Sequence, residues 1–197
     1  MAATEPRLGT RERILYASAE LFRRQGYAGT GLKQVAEQSE APFGSLYHFW
    51  PGGKRALAEE VLRTGGAFFL ALYRQIMDDA PDLVTGVETF FAGAAETLRA
   101  TDYADACPIA TVAGEVASTH EVLRQATEDV FASWLEALAG DLREVGLAED
   151  QARALAISVL ALLEGAFLLS RSMRSLDAMD AAGRAAGALV SEAVRDA

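Results

Sequence analysis

Ser45, Tyr47 and His48 crowd one short stretch, with Gly44 before them and Lys54 shortly after. They supply two hydroxyls, an imidazole and an ammonium group, beside a glycine that lets the backbone approach its target closely. Upstream, Thr30 and Lys33 add a third hydroxyl and a second ammonium. Such groups can grip phosphate oxygens and touch base edges, so the chemistry they point to is recognition of a polyanion. Bond-making chemistry has little to stand on. His48 and His120 are the only histidines, and no CxxC, HExxH, GxSxG or Walker loop occurs. Gly52-Gly53 before Lys54 is too short for a phosphate loop, and Asp78-Asp79 reads as a solvated helix end. No catalytic residue, metal site or cofactor is expected.

The charge distribution supports this reading although the total opposes it. The chain of 197 residues carries a net charge of −10. Up to Arg63, nine basic side chains face seven acidic ones, and both lysines of the protein lie there; the remainder holds nine against twenty-one. A slightly basic N-terminal part on an acidic body suits a nucleic-acid-binding module. The 51% apolar content is enough for a core, and the five prolines and abundant Ala, Leu and Glu favour helix. Residues 1–9 lack the apolar segment of a signal peptide. Residues 154–169 form the longest apolar stretch, short for a membrane span. A lone Cys107 excludes an internal disulfide and fits a reducing compartment. A cytoplasmic protein without a membrane partner is expected.

The elements that would position these groups follow from periodicity and punctuation. Residues 1–9 read as a mobile polar arm. A first helix is predicted over residues 10–25, with Thr10 as N-cap, Ile14, Ala17, Leu21 and Phe22 as its buried stripe, and Gly26 ending it. Thr30 is the expected cap of a short second helix running to Gln38. The tight turn Ser39-Glu40-Ala41 follows, and Pro42 opens a third helix that ends near Phe49. Two short helices joined by a three-residue turn behind a longer helix make a helix-turn-helix head. Its third helix must enter a major groove about 12 Å wide, with Leu46 turned to the core.

Five further helices are predicted near residues 53–77, 82–100, 108–117, 118–145 and 149–172, and a last one over 177–194. A capping box at Ser118-Thr119-His120-Glu121 is expected to start the seventh. The fold class is therefore all-α, about nine helices. A DNA-binding domain over residues 10–53 precedes a helical domain over 54–197.

The pattern Gly26-Tyr27-x-x-Thr30-x-Leu32-x-x-Val35-Ala36 followed by Gly44-Ser45-Leu46-Tyr47-His48-Phe49 strongly resembles the head of the TetR/AcrR regulators. Residues 41–54, with Cys107-Pro108-Ile109-Ala110 and Leu163-Glu164-Gly165-Ala166, resemble the LmrA/YxaF-like branch. The resemblance implies phosphate contacts by Tyr47, His48 and Lys54, base-edge contacts by Gly44 and Ser45, and backbone contacts by Thr30 and Lys33. Three residues depart from the family pattern. Gly31 stands where a Ser or Thr is frequent and Phe43 where a basic residue is frequent; Phe43 would then meet a thymine methyl or a sugar. Glu40 stands where glycine is common, and a positive φ there would cost about 1 kcal/mol.

For the C-terminal part the resemblance implies a homodimer built on the last two helices. Val159, Leu163, Ala166 and Ser170, with Ala182, Ala186 and Val190, are the expected interface. It further implies a cavity for a small lipophilic or aromatic effector, lined by Phe68, Tyr73, Phe90, Tyr103, Cys107, Phe131 and Trp134. Tyr103, Trp134 and His120 are its expected polar groups. Cys107 at a helix start fits a buried core thiol better than a redox sensor. Glu164 receives no role. The expected function is a dimeric repressor on a near-palindromic operator, released by its effector. The alternatives are an activator of the same type, or a helical ligand-binding protein that has lost operator binding.

Overall fold

Residues 8–197 are described by a computed structural model, so the expected arm up to Arg7 lies outside the described residues. Nine α-helices and no strand occur among them. The head is made by α1 (Thr10–Gln25), α2 (Leu32–Gln38) and α3 (Phe43–Phe49). Helix α4 (Gly53–Asp79) leaves the head and enters the body, spanning about 40 Å at the usual helical rise. The body adds α5 (Leu83–Ala100), α6 (Pro108–Val116), α7 (Glu121–Glu144), α8 (Glu149–Met173) and α9 (Asp177–Arg195).

Helix bounds follow the predicted punctuation, while several caps differ. Gly9, not Thr10, caps α1, and its N–H donates to Glu12 Oε2 at 2.7 Å. Thr30 caps nothing: Gly31 holds the N-cap of α2, and the Thr30 hydroxyl donates back to the Gly26 carbonyl at 2.7 Å. Pro42 is the cap of α3 rather than its first residue. No capping box forms at Ser118; α7 starts after His120 without a side-chain cap, and the Thr119 hydroxyl donates to Glu115 in the preceding helix. Asp82 caps α5 by accepting from Thr85 N at 2.8 Å.

Two buried clusters hold the chain. One joins Ile14, Phe22, Val35, Leu46 and Leu57 of the head and early α4 to Ile109, Val112 and Val116 of α6 and Leu123, Ala126 and Val130 of α7. The head thus shares its core with the body. The other cluster binds α5, the far half of α7, α8 and α9, through residues such as Phe91, Leu142, Ala156, Met179 and Val190. Phe167 packs against both. Helices α4 and α7 meet closely at Gly66, where a Cβ would lie 2.5 Å from Val130 Cγ1. Gly26 has φ of +76°, a conformation that glycine adopts without strain, at the corner after α1.

Helix α8 is long and apolar enough, by length and composition, to cross a membrane. It packs instead on α5, α7 and α9. Ala152, Ala156, Val159, Leu163, Ala166 and Ser170 face inward, while Ile157, Leu168, Leu169 and Met173 on the other side remain exposed.

Candidate nucleic-acid interface and ligand cavity

The recognition surface is built on a turn clamped from below. Arg13 of α1 donates from Nε to Ser39 O at 3.0 Å and from Nη2 to Glu40 O at 3.3 Å, tying two turn carbonyls to the first helix. Glu40 has φ of +50°, so the turn keeps its left-handed residue without glycine and bears the expected strain of about 1 kcal/mol. Below α3, Trp50 is buried and donates from Nε1 to Glu60 Oε2 at 2.7 Å. Arg11 lies over the Trp50 ring and pairs with the same carboxylate. Arg13, Arg11, Trp50 and Glu60 are the residues that sequence reasoning missed in the head; none has a motif of its own.

On this support Leu46 points inward, 2% exposed, as its place between Ser45 and Tyr47 predicts. Phe43, Gly44, Tyr47 and His48 are exposed and Ser45 half-buried. Phe43 and Tyr47 meet edge to face, their ring centroids 5.8 Å apart. Lys33 is exposed on α2. Two expected contacts are placed differently. Thr30 is 1% exposed with its hydroxyl committed to Gly26, so it has no hydroxyl to offer a phosphate. The Lys54 ammonium lies over the Tyr27 ring, 4.3 Å from its centroid, where burial lowers its pKa against the opposing pull of Glu115. Tyr27 in turn meets His120 edge to face at 5.4 Å, which puts His120 at the head–body joint and outside the cavity lining.

Behind the head, α4, α5, α7 and α8 form most of the wall of a partly open cavity of about 270 Å³. Tyr73, Phe90, Cys107 and Trp134 line it as expected. Phe68, Tyr103 and Phe131 do not. Phe68 is 64% exposed, because its neighbour Phe69, about 100° away around the helix, takes the inward position. Tyr103 sits on a left-handed residue, φ +60°, under the Arg174 guanidinium. Phe131 packs against the head cluster, its ring edge-on to Trp134.

The polar wall residues are mostly answered. Tyr73 OH donates to Asp141, and burial raises both pKa values. Trp134 Nε1 donates to Gly66 O at 2.9 Å. Asp105, buried at the wall, pairs with Arg23 at 2.7 Å and with Arg24 at 3.3 Å, both from α1. Arg171 of α8 holds the adjoining chain by donating to the carbonyls of Tyr103 and Ala104. Glu164 is the exception: its carboxyl is pushed up to about 7 by burial, against a lowering hydrogen bond with Cys107. Burial, then Glu164, pushes the Cys107 thiol well up, the reverse of what a reactive thiol needs.

The residues expected at a dimer interface lie in the core of their own chain, although Ala166 and Ala182 also line the groove between α8 and α9. Val159, Leu163, Ala166, Ser170, Ala182, Ala186 and Val190 are all buried inside the chain itself, none above 8% exposure. Helix α8 is apolar around its circumference, so its sequence does not reveal which side meets its own core.

A helix-turn-helix head on a helical body defines a class of transcriptional regulator. Residues 14–61 match the bacterial regulatory proteins of the tetR family, and residues 84–185 match the LmrA/YxaF-like C-terminal domain of transcriptional regulators. The HTH-type transcriptional regulator YxaF of Bacillus subtilis is 38% identical, over 82% of this chain and 84% of its own. LmrA of the same organism is 32% identical, over 84% and 88%. The chain belongs to the TetR family of transcriptional regulators, in its LmrA/YxaF-like branch. Among solved structures, a TetR regulator from Legionella pneumophila superposes with a TM-score of 0.83 at 21% identity, covering 91% of this chain and 96% of its own.

Proposed function

We propose that the protein is a dimeric repressor that binds a near-palindromic operator and leaves it when a small lipophilic effector fills the cavity. The observation that carries the reading is the exposed face of α3, with Phe43, Gly44, Tyr47 and His48 outward on a turn that Arg13 fixes from α1. Tyr47 and His48 grip phosphates, Gly44 and Ser45 lie against base edges and Phe43 against a thymine methyl or sugar. Lys33 reaches the backbone beside α2, and Lys54 joins by swinging off Tyr27.

The dimer forms through the outward sides of α8 and α9. Ser158, Ala161 and Gly165 with Ala178, Ala181 and Ala185 line a shallow groove between the two helices, and Leu168, Leu169 and Met173 rim the exposed side of α8. Small side chains allow close helix approach, and a two-fold axis spaces two recognition helices by about 34–36 Å, one turn of DNA. Release needs a path from cavity to head. Arg23 belongs to α1 and lines the cavity beside its counter-ion Asp105, so an effector that displaces this pair acts on the head without an intermediary. The same effector must favour the released state by its differential affinity.

The test is fluorescence anisotropy on DNA from upstream of the protein's own gene, across a salt series. Binding that weakens steeply with salt yet exceeds that of scrambled DNA supports the reading. Binding equal to scrambled DNA at every salt concentration, with an empty result from a library selection, refutes it.

A further inference from the structure

One charged group in the cavity wall has no ion-pair partner among the described residues. Arg23 and Asp105 form an ion pair, although Arg23 Nε makes no hydrogen bond; Trp134 donates to Gly66 and Tyr73 donates to Asp141. Glu164 lines the same cavity, and its Oε1 is buried without a hydrogen-bond partner among the described residues. Glu164 forms no ion pair among the described residues, and burial outweighs the Cys107 hydrogen bond in its effect on the carboxyl. The other walls are apolar, with Phe69, Phe90, Leu138 and Phe167 facing the space. A carboxyl held in such a wall without a counter-ion costs folding free energy that a bound cation would return.

Building on the reading of the cavity as the effector site, we infer that it takes a small lipophilic amine, whose protonated nitrogen pairs with Glu164 and whose apolar body fills the space among Phe69, Phe90 and Phe167. The charge is complementary at the one wall group that lacks its opposite. The aromatic rings favour the same ligand, because ring faces attract cations. The volume of about 270 Å³ lies just below the usual range of ligand pockets, which suits a fused bicyclic ring with a short amine arm.

The experiment titrates the full chain by calorimetry with 1-naphthylmethylamine and 1-naphthylmethanol, two probes of one shape that differ in charge. At about pH 8 a charge-assisted pair should make the amine at least tenfold tighter than the alcohol. In Glu164→Gln the ratio should fall to about twofold or less, with alcohol binding retained. Glu164→Leu provides the same comparison should the glutamine variant melt early. Equal or weaker amine binding by the wild type overturns the inference and leaves the cavity reading standing. A preference that survives in both variants also overturns it, since the cation then pairs elsewhere. No binding of either probe removes the cavity reading and this inference together.

Discussion

Helix α2 begins on Gly31, a residue without a side chain, and nothing lies within 4 Å of the place where its Cβ would stand. Its φ of −98° is open to any residue. A serine here would cap α2 and present a hydroxyl beside the α3 surface. Gly31→Ser is therefore expected to add a few tenths of a kcal/mol to stability and, through one new phosphate contact, about threefold to tenfold in operator affinity. Anisotropy and thermal melting read both; a weaker complex would mean that the DNA backbone passes elsewhere. Glu164 yields a second prediction at this scale. Its folded carboxyl titrates near 7 against an ordinary value of 4.5. The folded state thus holds the proton longer than the unfolded chain, and stability contributed below the ordinary value is lost as pH rises through 7. Glu164→Gln cannot lose that proton. The stability of the variant relative to wild type should grow between pH 5 and pH 8, on the order of 3 kcal/mol in all. A gap that stays constant with pH in paired denaturant titrations would show that the carboxyl is not held in the apolar wall.

Among the elements, α1 has two loyalties: its inner face builds the head, while Arg23 and Arg24 near its end bind Asp105 at the cavity wall. Asp105→Asn keeps the side-chain shape and removes the charge that both arginines share. Backbone amides in the last turns of α1 should then exchange hydrogen faster by about tenfold, the equivalent of one lost charge-assisted bond. Amides of α9, far from the pair, serve as the control. Unchanged exchange in α1 would remove this pair as the link between effector and head. Which parts of this arrangement the sequence disclosed depends on the kind of signal. Helix bounds were legible because Gly26, Pro42, Pro51 and Pro108 interrupt strong 3.6-residue stripes. Caps were less so: the Thr30 hydroxyl can cap α2 or turn back to Gly26, and only the packed corner decides. Tyr73, Phe90 and Trp134, singled out by bulk and aromaticity, do line the cavity, but Phe68 and Phe69 are indistinguishable in sequence, and their phase on α4 is set by the partners α4 meets. Arg23 and Asp105 stand far apart along the chain and carry no local mark of their pairing.

For the whole molecule the decisive question is which surface would meet a second copy in the proposed dimer. Leu163 and Leu168 are the same residue type on the same helix, one 8% and the other 68% exposed. Leu163 lies among the α5, α7 and α9 residues of its own chain and lines the cavity. Leu163→Ala should lower the melting temperature, as truncation of a buried leucine costs about 2–5 kcal/mol, the lower figure applying beside an existing cavity. It should leave the assembly dimeric at concentrations where the chain is folded. Leu168→Glu combined with Met173→Glu should act in the opposite way. Two carboxylates on each copy would be buried without counter-ions in the proposed interface, a cost large enough to dissociate it. The isolated chain would keep its fold, because both residues stand outside its core. Sedimentation velocity should show a monomer. Operator affinity should fall by at least about a hundredfold, as one head then binds without its partner's contribution to effective concentration. A double variant that remains dimeric would place the interface on another surface. One that is monomeric yet binds operator at full strength would separate DNA recognition from the two-fold axis and leave the monomer as the reading unit.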